Sequence, residues 1–216
     1  MTRRLEIILL YVLLTAGGLW HLLGWFQVLM QRLAGVFLIG LSILLLIRFV
    51  QTQNLRAKSV FWATIVVLGG LFCEWIGLRT GIIFGHYAYG NILQPQAAGV
   101  PIAIGFAWLS IQLSAAAVAQ RLMQKRRALL FAVVTALLMV GFDFIMEPAA
   151  VYLRYWQWQD GRPPLQNYVG WFLIALIFSS LGTRWMVFET RLPDLIFHSF
   201  WAQLIYFLLI ILRASL

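Results

Sequence analysis

Seven long apolar runs divide this chain, and nothing else in the sequence constrains its fold as strongly: residues 5–23, 33–50, 60–78, 100–119, 128–153, 168–188 and 195–212. A helix rising about 1.5 Å per residue needs about 20 mostly apolar residues to cross the hydrocarbon core of a bilayer. Each run has roughly that length, and 216 residues leave room for little more than the connections. With 62% hydrophobic and 11% charged residues, the chain has no polar surface for a soluble domain. Residues 1–216 therefore read as a single integral membrane domain, an all-α polytopic bundle of about seven transmembrane helices. The weakest break is the first, marked only by Gly24, Gln27, Gln31 and Arg32, so six or eight spans also fit the pattern.

The net charge of +9 does not point to nucleic acid, because the basic residues stand singly or in short clusters between apolar runs. They set topology instead. One side collects Arg3, Arg4, Arg48, Arg56, Lys58, Arg121, Lys125, Arg126, Arg127, Arg184 and Arg191, against Arg32, Arg79, Arg154, Arg162 and Arg213 on the other. The positive-inside rule then predicts a cytoplasmic N-terminus in a bacterial inner membrane. Arg3 and Arg4 precede a long run that another follows almost at once, so the first run reads as a retained helix. The lone Cys73 has no partner for an internal disulfide.

Three of the seven acidic residues, Glu74, Asp143 and Glu147, lie well inside apolar runs, away from their first and last residues. An ionised carboxylate costs several kcal/mol there, so acids in spans face the bundle interior and usually serve a function. Asp143 and Glu147 are four residues apart, which puts them on one helix face about 6 Å apart along the axis. Glu74 falls at similar depth, and all three could share a pocket. In apolar surroundings the neutral acid is favoured, and two carboxyl groups in one site resist ionising together. One can then donate a proton to a poor base while its neighbour orients or deprotonates water. The plain alternative is that the acids pair with Arg79, Arg154 or tyrosine hydroxyls and lock helices together. Pro148, directly after Glu147, is expected to kink that helix or end its regular part.

Other candidates are weaker. His21, His86 and His198 lack metal-ligand spacing and read as local hydrogen-bonding groups, so no metal site is expected. No dinucleotide loop, phosphate loop or Asp-rich diphosphate motif is present, which disfavours redox and prenyl-diphosphate chemistry. The lysines Lys58 and Lys125 fall between runs, which excludes a retinal Schiff base in the last helix. Two longer connections, residues 79–99 and 154–167, are rich in aromatic residues, Gly and Pro. They read first as part of an interfacial belt, to which Trp75, Tyr87, Tyr89, Trp108, Trp156, Trp158 and Trp171 would belong, and second as a cap folded over a pocket. Aromatic faces near the acids would also stabilise a carbocation.

Two segments together, EWIGLRTGIIFGHYAYGNILQPQAAGVPIAIGFAW and FDFIMEPAAVYLRYWQWQDGRPPLQNYVGWF, resemble the membrane carotenoid biosynthesis family that contains the CruF-type carotenoid hydratases. The first block carries Glu74, the element from Gly81 to Tyr89, and Val100 with Pro101. The second carries Asp143, Glu147 with Pro148, Trp156 with Trp158, Pro164, and Asn167 with Gly170 and Trp171. PPLQNY departs from a glycine-containing variant common in the family. The resemblance implies addition of water to the terminal C=C bond of an acyclic carotenoid end group, as in γ-carotene or lycopene, giving a tertiary alcohol. It implies catalytic Asp143, Glu147 and Glu74, and substrate contacts from Arg79, His86, Tyr87, Tyr89, Trp156, Trp158, Asn167 and Trp171. It also implies a carotenoid held in the bilayer, water as the second substrate, no cofactor, and room for association with other carotenoid enzymes. Competing readings are a carotene cyclase, which starts with the same protonation and closes a ring, and a small proton-coupled transporter.

Overall fold

The computed structural model describes residues 3–123 and 127–215; Lys125 and Arg126 of the basic set lie outside the described residues. Among the described residues there are seven helices: α1 (Arg3–Leu23), α2 (Gln27–Thr52), α3 (Arg56–Thr80), α4 (Ile102–Leu122), α5 (Ala128–Tyr152), α6 (Leu165–Arg184) and α7 (Asp194–Ser215). All seven are long and apolar enough to cross a membrane.

α4 is the axis of the bundle, packed against α2, α3, α5 and α7 and buried along most of its length. Its C-terminal half reads SAAAVAQ, and these small side chains let neighbouring backbones approach closely, which is how helices associate where lipid is as apolar as protein. α1 lies along α7, and α5 along α6.

Cross-contacts fix the two ends of the bundle. At one, Arg48 pairs with Glu6, Arg121 with Asp194, and Thr190 hydrogen-bonds Gln53. At the other, the long connections meet, and Gln166 of α6 donates to the carbonyls of Gly81 and Ile82.

Several boundaries differ from the sequence pattern for identifiable reasons. The break after the first run is confined to residues 24–26, where Gly24 and Phe26 take positive φ angles of 74° and 53°. Gln27, Gln31 and Arg32 belong to α2, since polar side chains at a span end can reach the interface while the backbone stays helical. α6 stops at Arg184, not Phe188. Gln120 of α4 takes over there, donating to the carbonyls of Phe188 (2.9 Å) and Thr190 (3.2 Å) and accepting from the Leu192 N–H (2.9 Å). Lys58 sits exposed in the first turn of α3. α5 does not end at Pro148 but runs on to Tyr152, with only the helical partner of the Phe144 carbonyl lost.

The connections contain four short strands: β1 (Tyr87–Tyr89), β2 (Gln96–Ala97), β3 (Val100–Pro101) and β4 (Trp156–Trp158). β1 pairs antiparallel with β4 in the register Tyr87 with Trp158, Ala88 with Gln157 and Tyr89 with Trp156. β2 pairs with β3 to lead the chain into α4. At the edge of the first ribbon the Gly90 N–H donates to the Tyr155 carbonyl at 2.8 Å. A Cβ at Gly90 would strike the Arg154 carbonyl oxygen, so the two connections meet this closely only because the residue is glycine.

Candidate active site

The side chains of a strand alternate between faces, so Tyr87, Tyr89, Trp156 and Trp158 all project from one face of the ribbon while Ala88 and Gln157 stay exposed. That face points down into the bundle. The Tyr87 and Tyr89 hydroxyls donate to Oε2 of Glu74 at 2.6 and 2.7 Å. The indoles of Trp156 and Trp158 donate to Oε2 of Glu147 at 3.1 and 2.7 Å. The ribbon is therefore a cap, and the belt expectation gives way for these four residues and for Trp108 and Trp171, which are buried inside the bundle. Trp75, 40% exposed, keeps a lipid-facing position.

Glu74 lies on α3 and Glu147 on α5, roughly 9 and 8 Å from their helix ends by residue count. Glu74 has a third donor, the Trp108 indole of α4, 3.0 Å from Oε1. That indole can lie flat on α3 because residue 70, one turn before Glu74, is glycine: a Cβ there would come within 2.9 Å of the Trp108 ring. Trp108 stacks on Trp171 of α6 with ring centroids 4.0 Å apart and planes 20° from parallel.

Asp143 is wholly buried one turn below Glu147. Its Oδ2 accepts from Nδ2 of Asn167 at 2.7 Å, and its Oδ1 has no partner. Among the described residues none of the three acids pairs with arginine; the ion pairs there are Arg48–Glu6, Arg121–Asp194 and Arg191–Asp194. Of the partners the plain alternative named, Glu74 has the tyrosine hydroxyls, whereas neither Arg79 nor Arg154 locks any of the three acids; indoles supply the further donors.

Outside the spans, burial and then the neighbouring Glu74 carboxylate push the Tyr87 and Tyr89 phenols upward. Burial pushes Tyr155 up to about 12. All three hydroxyls are therefore lasting donors at neutral pH.

These groups close one end of an apolar cavity of about 280 Å³. Glu74, Glu147, Asn167 and Trp171 reach its wall, as do Tyr87, Tyr89, Trp156 and Trp158; Asp143 stands behind, joined to it through Asn167. Arg79 and His86 are exposed and form no part of the wall, with the His86 ring lying against Gly81.

The opposite wall is one the motifs did not reveal. Met30, Leu33, Ala34, Phe37, Leu38 and Leu41 form a stripe along α2 at helical spacing, and Gln203, Tyr206 and Phe207 of α7 complete it. The spacing is visible in the sequence, but in a helix apolar all round no polar face marks the stripe as inward.

The arrangement can bind an apolar molecule, present it to two carboxyl groups held by neutral donors, and face a positive charge with stacked aromatic rings.

A family model described as carotenoid biosynthesis protein matches residues 23–215, leaving α1 almost wholly outside. The chain is also similar to a bisanhydrobacterioruberin hydratase of Haloarcula japonica, 29% identical over 133 residues, covering 56% of this chain and 44% of that protein. The chain thus spans less than half the length of this curated relative. No solved structure matches. By the extent of the family match, the chain belongs to the carotenoid biosynthesis protein family.

Proposed function

We propose that this protein is a carotenoid hydratase, adding water to the terminal C=C bond of an acyclic end group such as that of γ-carotene or lycopene. The observation that carries the reading is the pair Glu74 and Glu147, two carboxyl groups held by aromatic donors at the wall of an apolar cavity. Family membership and the name of the similar hydratase support the substrate class and the reaction.

In this mechanism a carboxyl group delivers its proton to the CH carbon of the trisubstituted terminal alkene. The π electrons form the new C–H bond, leaving a tertiary cation at the dimethyl carbon. Water attacks that carbon and gives a proton to the second carboxylate, which closes the balance: alkene plus water becomes tertiary alcohol, and one proton passes between the acids.

We assign the donor role to Glu147 and the acceptor role to Glu74. Both oxygens of Glu74 already accept N–H or O–H donors, an arrangement that suits the acceptor-only carboxylate. Glu147 is held through Oε2 by two indoles, which leaves Oε1 for the substrate. Asn167 positions Asp143 at the back of the site, and the Trp108–Trp171 stack offers a π face to the cation.

The basic end of the bundle lies in the cytoplasm in this reading, with the acids toward the outer face of a bacterial inner membrane. No cofactor takes part.

Expression in a host that accumulates lycopene or γ-carotene tests the proposal, with the pigments read by mass and absorption. A product heavier by one water is expected. An unchanged pool with the protein in the membrane overturns the proposal, and a product of unchanged mass with shortened absorption replaces it with cyclisation.

A further inference from the structure

A cavity closed by its cap at the outer end must admit a lipid-dissolved substrate from the side, and one side stands apart. Four residues that line the cavity are also exposed on the outside of the bundle: Leu13 (58%), Trp20 (36%), Leu33 (48%) and Phe37 (38%). All four lie on α1 and α2; the other lining residues, from α3 through α7 and the cap, are buried or half-buried.

α1 packs on α7 and α2 on α4, yet α1 and α2 scarcely touch each other. They are joined at their two ends. At the outer end the turn at residues 24–26 links them covalently. At the inner end Arg48 grips Glu6 with two hydrogen bonds, Nε to Oε2 at 3.0 Å and Nη2 to Oε1 at 2.5 Å. Between these ties Gly17 of α1 presents no side chain, and a Cβ there would meet Met30 Cε of α2 at 3.3 Å. The result is a slot bounded above and below, opening from hydrocarbon into the cavity. Every exposed residue on its rim is apolar.

The α2 stripe from Met30 to Leu41 runs roughly 16 Å along the helix, from beneath the cap to the middle of the bilayer. The geometry points to this slot as a lateral portal, through which a long apolar isoprenoid chain inserts one end toward Glu74 and Glu147 while its remainder stays in lipid. The inference rests on the hydratase reading for the identity of the chain, and it adds how the substrate arrives and that one end is engaged at a time.

Photocrosslinking of the full chain in lipid vesicles loaded with lycopene tests the portal. The variant Phe37→p-benzoylphenylalanine places the photoreactive group on the slot rim. Phe72→p-benzoylphenylalanine places it on the lipid face of α3, at 58% exposure and away from the cavity. Several-fold more pigment adduct is expected at position 37 than at 72, and Ala34→Trp, which fills the slot, should abolish the excess. Equal yields at the two positions, or an excess that survives Ala34→Trp, overturn the portal. The readout needs no turnover: a wild-type protein that binds at position 37 without hydrating lycopene would sink the hydratase reading and leave the portal standing.

Discussion

Tyr87 and Trp158 stand directly opposite each other in the two-stranded ribbon, their rings 5.2 Å apart, yet they serve different carboxyl groups. Tyr87 donates to Glu74 and Trp158 to Glu147. One register thus sets the positions of two acids that belong to helices α3 and α5, and a slip of one residue in either strand would turn that strand's two donors outward.

The acids themselves give the first prediction. Glu147→Gln and Glu74→Gln keep the volume and hydrogen-bonding reach of the side chains but remove the proton donor in the first and the proton acceptor in the second. Loss of a positioned acid or base should lower hydration by about 10²-fold or more while the protein remains folded. Pigment mass analysis measures the turnover, and near-ultraviolet dichroism of the tryptophans the fold. Wild-type turnover in both variants would remove these residues from the mechanism.

The donors give a second. Trp158→Phe and the double variant Tyr87→Phe/Tyr89→Phe preserve the ring packing of the cap and delete only N–H or O–H groups. Hydrogen bonds to charged groups contribute roughly 1.5–3 kcal/mol, so rates should fall roughly 10- to 150-fold. The loss should appear in kcat more than in KM, since the cavity wall keeps its shape. Unchanged kcat in both variants would reduce the cap to a lid.

The tie between α1 and α2 gives a third. Glu6 is 8% exposed and Arg48 35%, so removing one partner strands a largely buried charge. Arg48→Gln should therefore lower thermal stability more than the double variant Arg48→Gln/Glu6→Gln does, with a coupling of about 1 kcal/mol. Additive effects would show that the pair does not join the helices.

How much of this was open to reading is clearest at particular residues. Glu74, Asp143 and Glu147 announced themselves because a carboxylate in an apolar run is costly, and Asn167, Trp156 and Trp158 came with the family motifs. Yet Y-x-Y and W-x-W are also what an interfacial belt would contain. Their meaning as strand faces depends on a partner nearly seventy residues away in the chain. Arg79 and His86 share those motifs but sit on the outside of the bundle.

By itself the sequence determined that this chain is a polytopic membrane bundle of about seven helices that takes acids with it, because hydrophobic length and the cost of buried charge are properties of local composition. The tertiary structure alone decided which acids reach a common cavity, that aromatic hydroxyls and indoles rather than arginines hold them, and that α1 and α2 scarcely touch each other. Helices that are apolar on every side carry no mark of their inward face, so those relations exist only once the helices are packed.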